Sequence, residues 1–243
     1  YLLGLGLLAR KGAVGIIGRM LMAIGGGLIA LPTTEVIGID VGQLVLFISG
    51  SLAAVFGAIL SLGHSGQSDK IRDYYWVVDP LDGTSNYFRN IPICCVAIAL
   101  MNKLTPVLGV VNDFNNDHLY FAHQGMEAFR NDDLINVSKI DTKIDGTLLT
   151  GIPAKTSYTD EEFRSMIVEF QQWKKIRMIG SAAMASAYVA SGKAERYQEN
   201  GIFLWDIAAG AALVNAAGGS VIISDIQSDF RVDARFSNSC IKE

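Results

Sequence analysis

From about Asp69 onward the sequence predicts an α+β domain. Three observations predict it: short apolar runs rich in β-branched and aromatic residues, turn residues that punctuate those runs, and Ala-rich or amphipathic segments at helical spacing. Tyr74 to Val78 (YYWVV) reads as a buried strand that Asp79-Pro80 ends, because proline cannot donate to a strand ladder. Ile91 to Met101 and Thr105 to Val111 are apolar runs separated by Asn102-Lys103-Leu104, which predicts a hairpin connection. Further strands are expected at His118 to Ala122 and Leu148 to Thr150. Asp160 to Gln172 is acidic at its start and places Phe163, Met166, Ile167 and Phe170 at helical spacing, the pattern of an amphipathic surface helix. Ser181 to Ser191 and Asp206 to Ala217 read as Ala-rich helices, and Gly218-Gly219 closes the second.

The chain of 243 residues is 50% hydrophobic, enough to bury the core of one large or two small domains. A disordered tail and a disulfide miniprotein are excluded. A net charge of -4 offers no basic footprint for a phosphate backbone, so no nucleic-acid partner is expected. Three cysteines, two of them the neighbours Cys94 and Cys95, make no ordinary disulfide framework and point to a reducing cytoplasm. The charge is unevenly spread: residues 1 to 68 hold Arg10, Lys11, Arg19, Glu35 and Asp40, and Val41 to Ser68 hold no charged side chain. Leu44 to Gly63 is long enough to cross a bilayer as a helix, although no Lys/Arg cluster or Trp/Tyr belt flanks it. The other readings are a buried helix pair and strand, with a thin polar face at Gln43, Ser49, Ser51 and Ser61, or residue identities over 1–68 that differ from the natural ones.

The densest chemistry is Asp79-Pro80-Leu81-Asp82-Gly83-Thr84-Ser85-Asn86, where a strand gives way to a turn. The bend at Pro80 can aim two carboxylates at one point. Carboxylates held close stay ionised only around a cation, and hard oxygen ligands select Mg²⁺, Mn²⁺ or Ca²⁺ over zinc. Gly83 and Thr84 offer backbone N–H groups at a helix start, where a phosphate oxygen is favoured. The plain alternative is a strand end at Asp79 and an N-cap at Asp82. Asp206, taken alone, also reads as an N-cap, and Glu199 as a surface acid.

Trp76-Val77-Val78-Asp79-Pro80-Leu81-Asp82-Gly83-Thr84-Ser85-Asn86-Tyr87 resembles the first signature of the inositol monophosphatase family, and Trp205-Asp206-Ile207-Ala208-Ala209-Gly210 resembles the second. Ile91-Pro92, Pro106 to Val111, Gly180-Ser181-Ala182-Ala183 and Tyr188 to Gly192 match in order between them. The resemblance implies a layered αβαβα sandwich that forms a single phosphatase unit over 1–243. An N-terminal half to about residue 145 would carry the metal and phosphate turn, and a C-terminal half from about 146 the second signature. It implies a cytoplasmic homodimer, sensitive to lithium, that hydrolyses a small phosphorylated polyol or sugar with two or three Mg²⁺ ions. By resemblance Asp79, Asp82, the Leu81 carbonyl and Asp206 are metal ligands. Gly83, Thr84 and Ser85 bind phosphate, and Thr84 orients the attacking water. The Ala182 backbone, Glu199 and Asp206 meet the substrate, and Asp40 is a possible counterpart of the family's upstream water-activating acid.

The chain departs from the family pattern at the acidic turn before the strand. The matching place, Gly63-His64-Ser65-Gly66, has no carboxylate, while Gln67 and Asp69 are out of register. Loss of that ligand should weaken Mg²⁺ binding, and His64 is a poor substitute because Mg²⁺ prefers oxygen. Inositol 1-phosphate or a similar sugar phosphate is the expected substrate. The alternatives are a 3′(2′),5′-bisphosphate nucleotidase, a fructose-1,6-bisphosphatase, an impaired family member with a binding role, and a membrane-tethered protein.

Overall fold

In the computed structural model the described residues are 74–152, 157–224 and 226–242. They fall in Arg72–Glu243, one of the two units into which the chain divides. The run that begins at Tyr74 forms strand β1 (Tyr74–Asp82), which passes through Pro80 where an end was expected. Among the described residues β1 is an edge strand, a place where the N–H that proline lacks is not needed by a neighbour. Along β1, Asp79 lies opposite Ala97 and Asp82 opposite Cys95, so three steps on one strand match two on the other. The extra residue is a β-bulge. Residues three apart on a regular strand face opposite sides; here the bulge turns Asp79 and Asp82 to the same side.

β2 (Cys95–Asn102) and β3 (Thr105–Asp113) form the expected hairpin, with Lys103 in the turn at φ 53°. Ile91–Cys94 lies outside β2. β4 (His118–His123), β5 (Ala128–Arg130) and β6 (Asp133–Ile135) extend the sheet in sequence order, each strand antiparallel to the last. A second, mixed sheet contains β7 (Thr147–Thr150), β8 (Lys175–Arg177), β9 (Arg196–Phe203), β10 (Ser220–Ile223) and β11 (Arg231–Ser237), in the order β10-β11-β9-β7-β8.

Four helices complete the described elements: α1 (Thr84–Phe88), α2 (Asp160–Phe170), α3 (Ala182–Ala190) and α4 (Leu204–Ala216). The Thr159 hydroxyl and the Glu162 carboxylate close a capping box at the start of α2, which lies on the surface as expected. α4 begins two residues before the expected start, with Phe203 at the N-cap, so Asp206 is not the cap but stands in the first turn. The Leu204 amide is satisfied by the Phe230 carbonyl at 3.0 Å, which accounts for one of the free amides at the helix start.

α3 and α4 pack together, and α4 touches β2 and β3 of the first sheet and β10 and β11 of the second. The helix pair therefore lies between the sheets. Close approach needs small residues: a Cβ on Gly109 of β3 would strike the Ala209 backbone of α4, and one on Gly210 would strike Ser186 of α3. Cys95, Ala97 and Met101 from β2, Met184 and Val189 from α3, Ile207 and Leu213 from α4, and Val232 and Phe236 from β11 share one core.

Candidate metal centre

Asp79 and Asp82 leave β1 on the same side as Ala97 and Cys95, which belong to the core beneath the helix layer. There they meet Asp206 from the first turn of α4. One carboxylate oxygen from each of the three lies within 4.8 Å of the others. Asp79 is held from its own strand, where its Oδ1 accepts the Leu81 amide at 3.0 Å. Asp82 is held from α3: its Oδ2 accepts the Ser181 hydroxyl at 2.5 Å and the Ala183 amide at 2.8 Å.

Burial pushes all three acids above the ordinary carboxylate range. Asp79 is raised chiefly by burial. Asp82 is raised to about 6 by burial and the charge of Asp79, against the lowering bond from Ser181. Asp206 is raised to about 8 by burial and then by Asp82 and Asp79. Glu199 of β9 is raised to about 7, again by burial first, while the Tyr197 hydroxyl bonds its Oε2 at 3.1 Å. Among the described residues the largest influences on these acids are burial, hydroxyls, backbone amides and one another, with no Lys, Arg or His among them. Asp79 and Asp206 also bring carboxylate oxygens within 4.8 Å of one another, a closeness that favours sharing a proton or a cation. A donor set of three carboxylates, Asp79 and Asp82 buried and Asp206 half-buried, with no side-chain cation among the described groups that act on them most, fits a hard divalent ion such as Mg²⁺.

The turn after Asp82 is equally constrained. Gly83 has φ 79°, and a Cβ there would stand 2.7 Å from the Ile93 carbonyl, so the position requires glycine. The Thr84 hydroxyl donates to the Leu81 carbonyl at 2.8 Å, and Thr84 and Ser85 are exposed. Asn86 clamps the turn to the segment before α3, donating to Ile179 O at 2.7 Å and to Ile93 O at 2.8 Å. Ala182, expected to meet substrate through its backbone, lies beside Asp82, and its carbonyl accepts the Ser186 hydroxyl at 2.8 Å.

The fold thus gathers Asp79, Leu81, Asp82, Gly83, Thr84, Ala182, Glu199 and Asp206 into one region. Asp40 lies outside the described residues, as do Gly63 to Gly66, Gln67, Asp69 and the apolar stretch Val41 to Ser68. Two contributors were not among the expected site residues. Ser181, read as an Ala-rich helix start within the matching Gly180-Ser181-Ala182-Ala183 segment, bonds Asp82, and Gly151, which carried no sequence signal, is needed because any Cβ there would collide with the Glu199 carboxylate. No helix among the described residues is long and apolar enough to cross a membrane.

The model of the inositol monophosphatase family matches residues 48–235. This chain belongs to that family. Among family relatives it is 39% identical over 181 residues to Nus factor SuhB of Xylella fastidiosa, covering 74% of this chain and 66% of that protein. It is 37% identical over 150 residues to the inositol-1-monophosphatase of Mesorhizobium japonicum, covering 60% of this chain and 55% of that protein. The chain thus spans two thirds or less of the length of these relatives. The solved inositol monophosphatase of Anabaena (Nostoc) sp. PCC 7120 superposes with a TM-score of 0.65 at 29% identity, covering 91% of this chain and 85% of that one. The extragenic suppressor protein suhB of Bartonella henselae superposes with a TM-score of 0.62 at 28% identity, covering 90% and 88%.

Proposed function

We propose that this chain is a Mg²⁺-dependent phosphomonoesterase acting on inositol 1-phosphate or a similar small sugar phosphate. The convergence of Asp79, Asp82 and Asp206 from two elements far apart in sequence carries the reading. These carboxylates, with the Leu81 carbonyl, would hold two or three Mg²⁺ ions. What Mg²⁺ supplies in such a site is a lowered pKa for bound water and charge stabilisation for the leaving oxygen.

The chain's own groups do the rest. Gly83, Thr84 and Ser85 turn backbone N–H groups toward the phosphate. Because Thr84 gives its own proton to Leu81 O, its oxygen is left to accept a hydrogen bond from a water, which orients the attacking water toward the phosphate. Glu199 and the Ala182 backbone face the substrate hydroxyls beside Asp206. No protein nucleophile is required, and the thiol of Cys95, pushed well up by burial, is unsuited to the part. The same reading takes the chain as one phosphatase unit with halves meeting near residue 145, and as a lithium-sensitive cytoplasmic homodimer.

A second reading, a family member with a binding role, is favoured by the absence of an acid in Gly63-His64-Ser65-Gly66 and by relatives that carry the name Nus factor. The deciding experiment is phosphate release from inositol 1-phosphate with and without millimolar Mg²⁺. A 3′(2′),5′-bisphosphate nucleotide and fructose 1,6-bisphosphate run beside it as alternative substrates. Mg²⁺-dependent release abolished by Asp79→Asn supports the enzyme; no release from any substrate favours the binding role.

A further inference from the structure

Asp82 is one of the most tightly held carboxylates in the fold. Both of its short bonds fall on one oxygen, Oδ2, which receives the Ser181 hydroxyl at 2.5 Å and the Ala183 amide at 2.8 Å. The direction of the first bond is fixed by the neighbours. Ser181 Oγ is the N-cap acceptor for the Met184 amide at 3.3 Å, so its lone pair faces the helix and its proton faces Asp82. Ser181 is buried, so the bond is shielded from bulk solvent. Its own segment is anchored in turn: Asn86 grips Ile179 O, and Gly180 takes φ 71° against the Asn86 amide.

We infer that Ser181 is a positioning residue for the metal centre: its hydroxyl occupies Asp82 Oδ2, fixes the carboxylate's rotation and leaves Oδ1 as the oxygen offered to a cation. The inference rests on the proposed Mg²⁺ site. Removing the hydroxyl takes away the shorter of the two bonds on Oδ2 and leaves the Ala183 amide to hold it, which loosens the carboxylate's rotation and lets the second oxygen compete; loss of such an orienting partner lowers metal affinity about 10- to 100-fold. Were the hydroxyl only a helix cap, its removal would lower the melting temperature of the metal-free protein and leave the affinity of the folded chain unchanged.

The test is titration of the purified full chain with Mn²⁺ as probe, followed by calorimetry and by the Mn²⁺ electron paramagnetic resonance spectrum, with circular dichroism confirming the fold. Ser181→Ala and Ser181→Gly both delete the hydroxyl, and the glycine variant keeps a residue tolerated at N-caps should the alanine variant fold poorly. Both are expected to bind Mn²⁺ at least about tenfold more weakly than the parent, with Ser181→Thr restoring most of the affinity. Parent-like Mn²⁺ affinity in the folded alanine or glycine variant, or a threonine variant as weak as they are, overturns the positioning role while leaving the metal site intact. A parent chain that binds no Mn²⁺ overturns the metal site and the inference together.

Discussion

Asp206 shows what a single side chain contributes when, among the described residues, the charges that act on it most are of its own sign. It stands in the first turn of α4, where the helix dipole favours an anion, yet burial and two neighbouring acids raise it to about 8. Replacing it with Asn removes the repulsion. The metal-free Asp206→Asn protein should therefore melt at a higher temperature than the parent at pH 9, while its gain in melting temperature on adding Mg²⁺ disappears; differential scanning calorimetry reads both. Thr84 is the contrasting case, an exposed residue of little structural weight. Thr84→Ala should cut phosphate release about a hundredfold with little change in melting temperature, and Thr84→Ser should keep most of the rate, as steady-state kinetics will show. Asp79 and Asp82 were legible in the sequence because carboxylates beside turn residues stand out, whereas Asp206 alone reads as an N-cap and only the family resemblance marks it. Ser181 lay in a segment that matches the family, but its task was hidden, since the group it serves lies 99 residues away and no local pattern links the two.

The element that matters most for the site is an irregular strand. Read as a chain stop, Pro80 predicted that pairing would finish at Asp79; as an edge-strand residue inside a bulge it lets the strand continue and brings Asp82 round to the face of Asp79. Sequence periodicity cannot distinguish these outcomes, because both place proline after an apolar run. The hairpin, the surface helix α2 and the Gly218 stop were legible because each depends on residues within a few positions. Strands β8 to β11 were not, and Glu199 of β9 was marked by the family resemblance alone, since the strand's mixture of polar and apolar residues makes sense only between β7 and β11. Close packing between elements yields a further expectation. A methyl group on Gly109 would meet backbone rather than a movable side chain, so Gly109→Ala should cost about 1–3 kcal/mol of stability in a urea denaturation series.

For the whole molecule, the raised acids tie stability to pH. Asp82, Glu199 and Asp206 stand at about 6, 7 and 8 in the fold, above the ordinary carboxylate values they regain on unfolding. Between about pH 4 and pH 8 the folded chain therefore holds more protons than the unfolded one, and the stability of the metal-free protein should fall as pH rises through that window. Mg²⁺ competes with those protons and prefers the ionised cluster. Its stabilisation, about 2.7 kcal/mol at a hundredfold excess over Kd, should be larger at pH 8 than at pH 5, a difference that paired melting curves will measure. A pH-independent Mg²⁺ effect would speak against a site made of these acids.

The helix layer between the sheets also sets an order of events. Asp82 and Asp206 are separated by 124 positions and come together only once the edge of one sheet has docked against α4. Closing so long a loop is slow and entropically costly, and a cation can reward it only after it is complete. Metal binding is then a late clasp on an assembled chain. In stopped-flow experiments added Mg²⁺ should slow unfolding and leave the refolding rate nearly unchanged, so the ion lengthens the lifetime of the folded protein without hastening its formation.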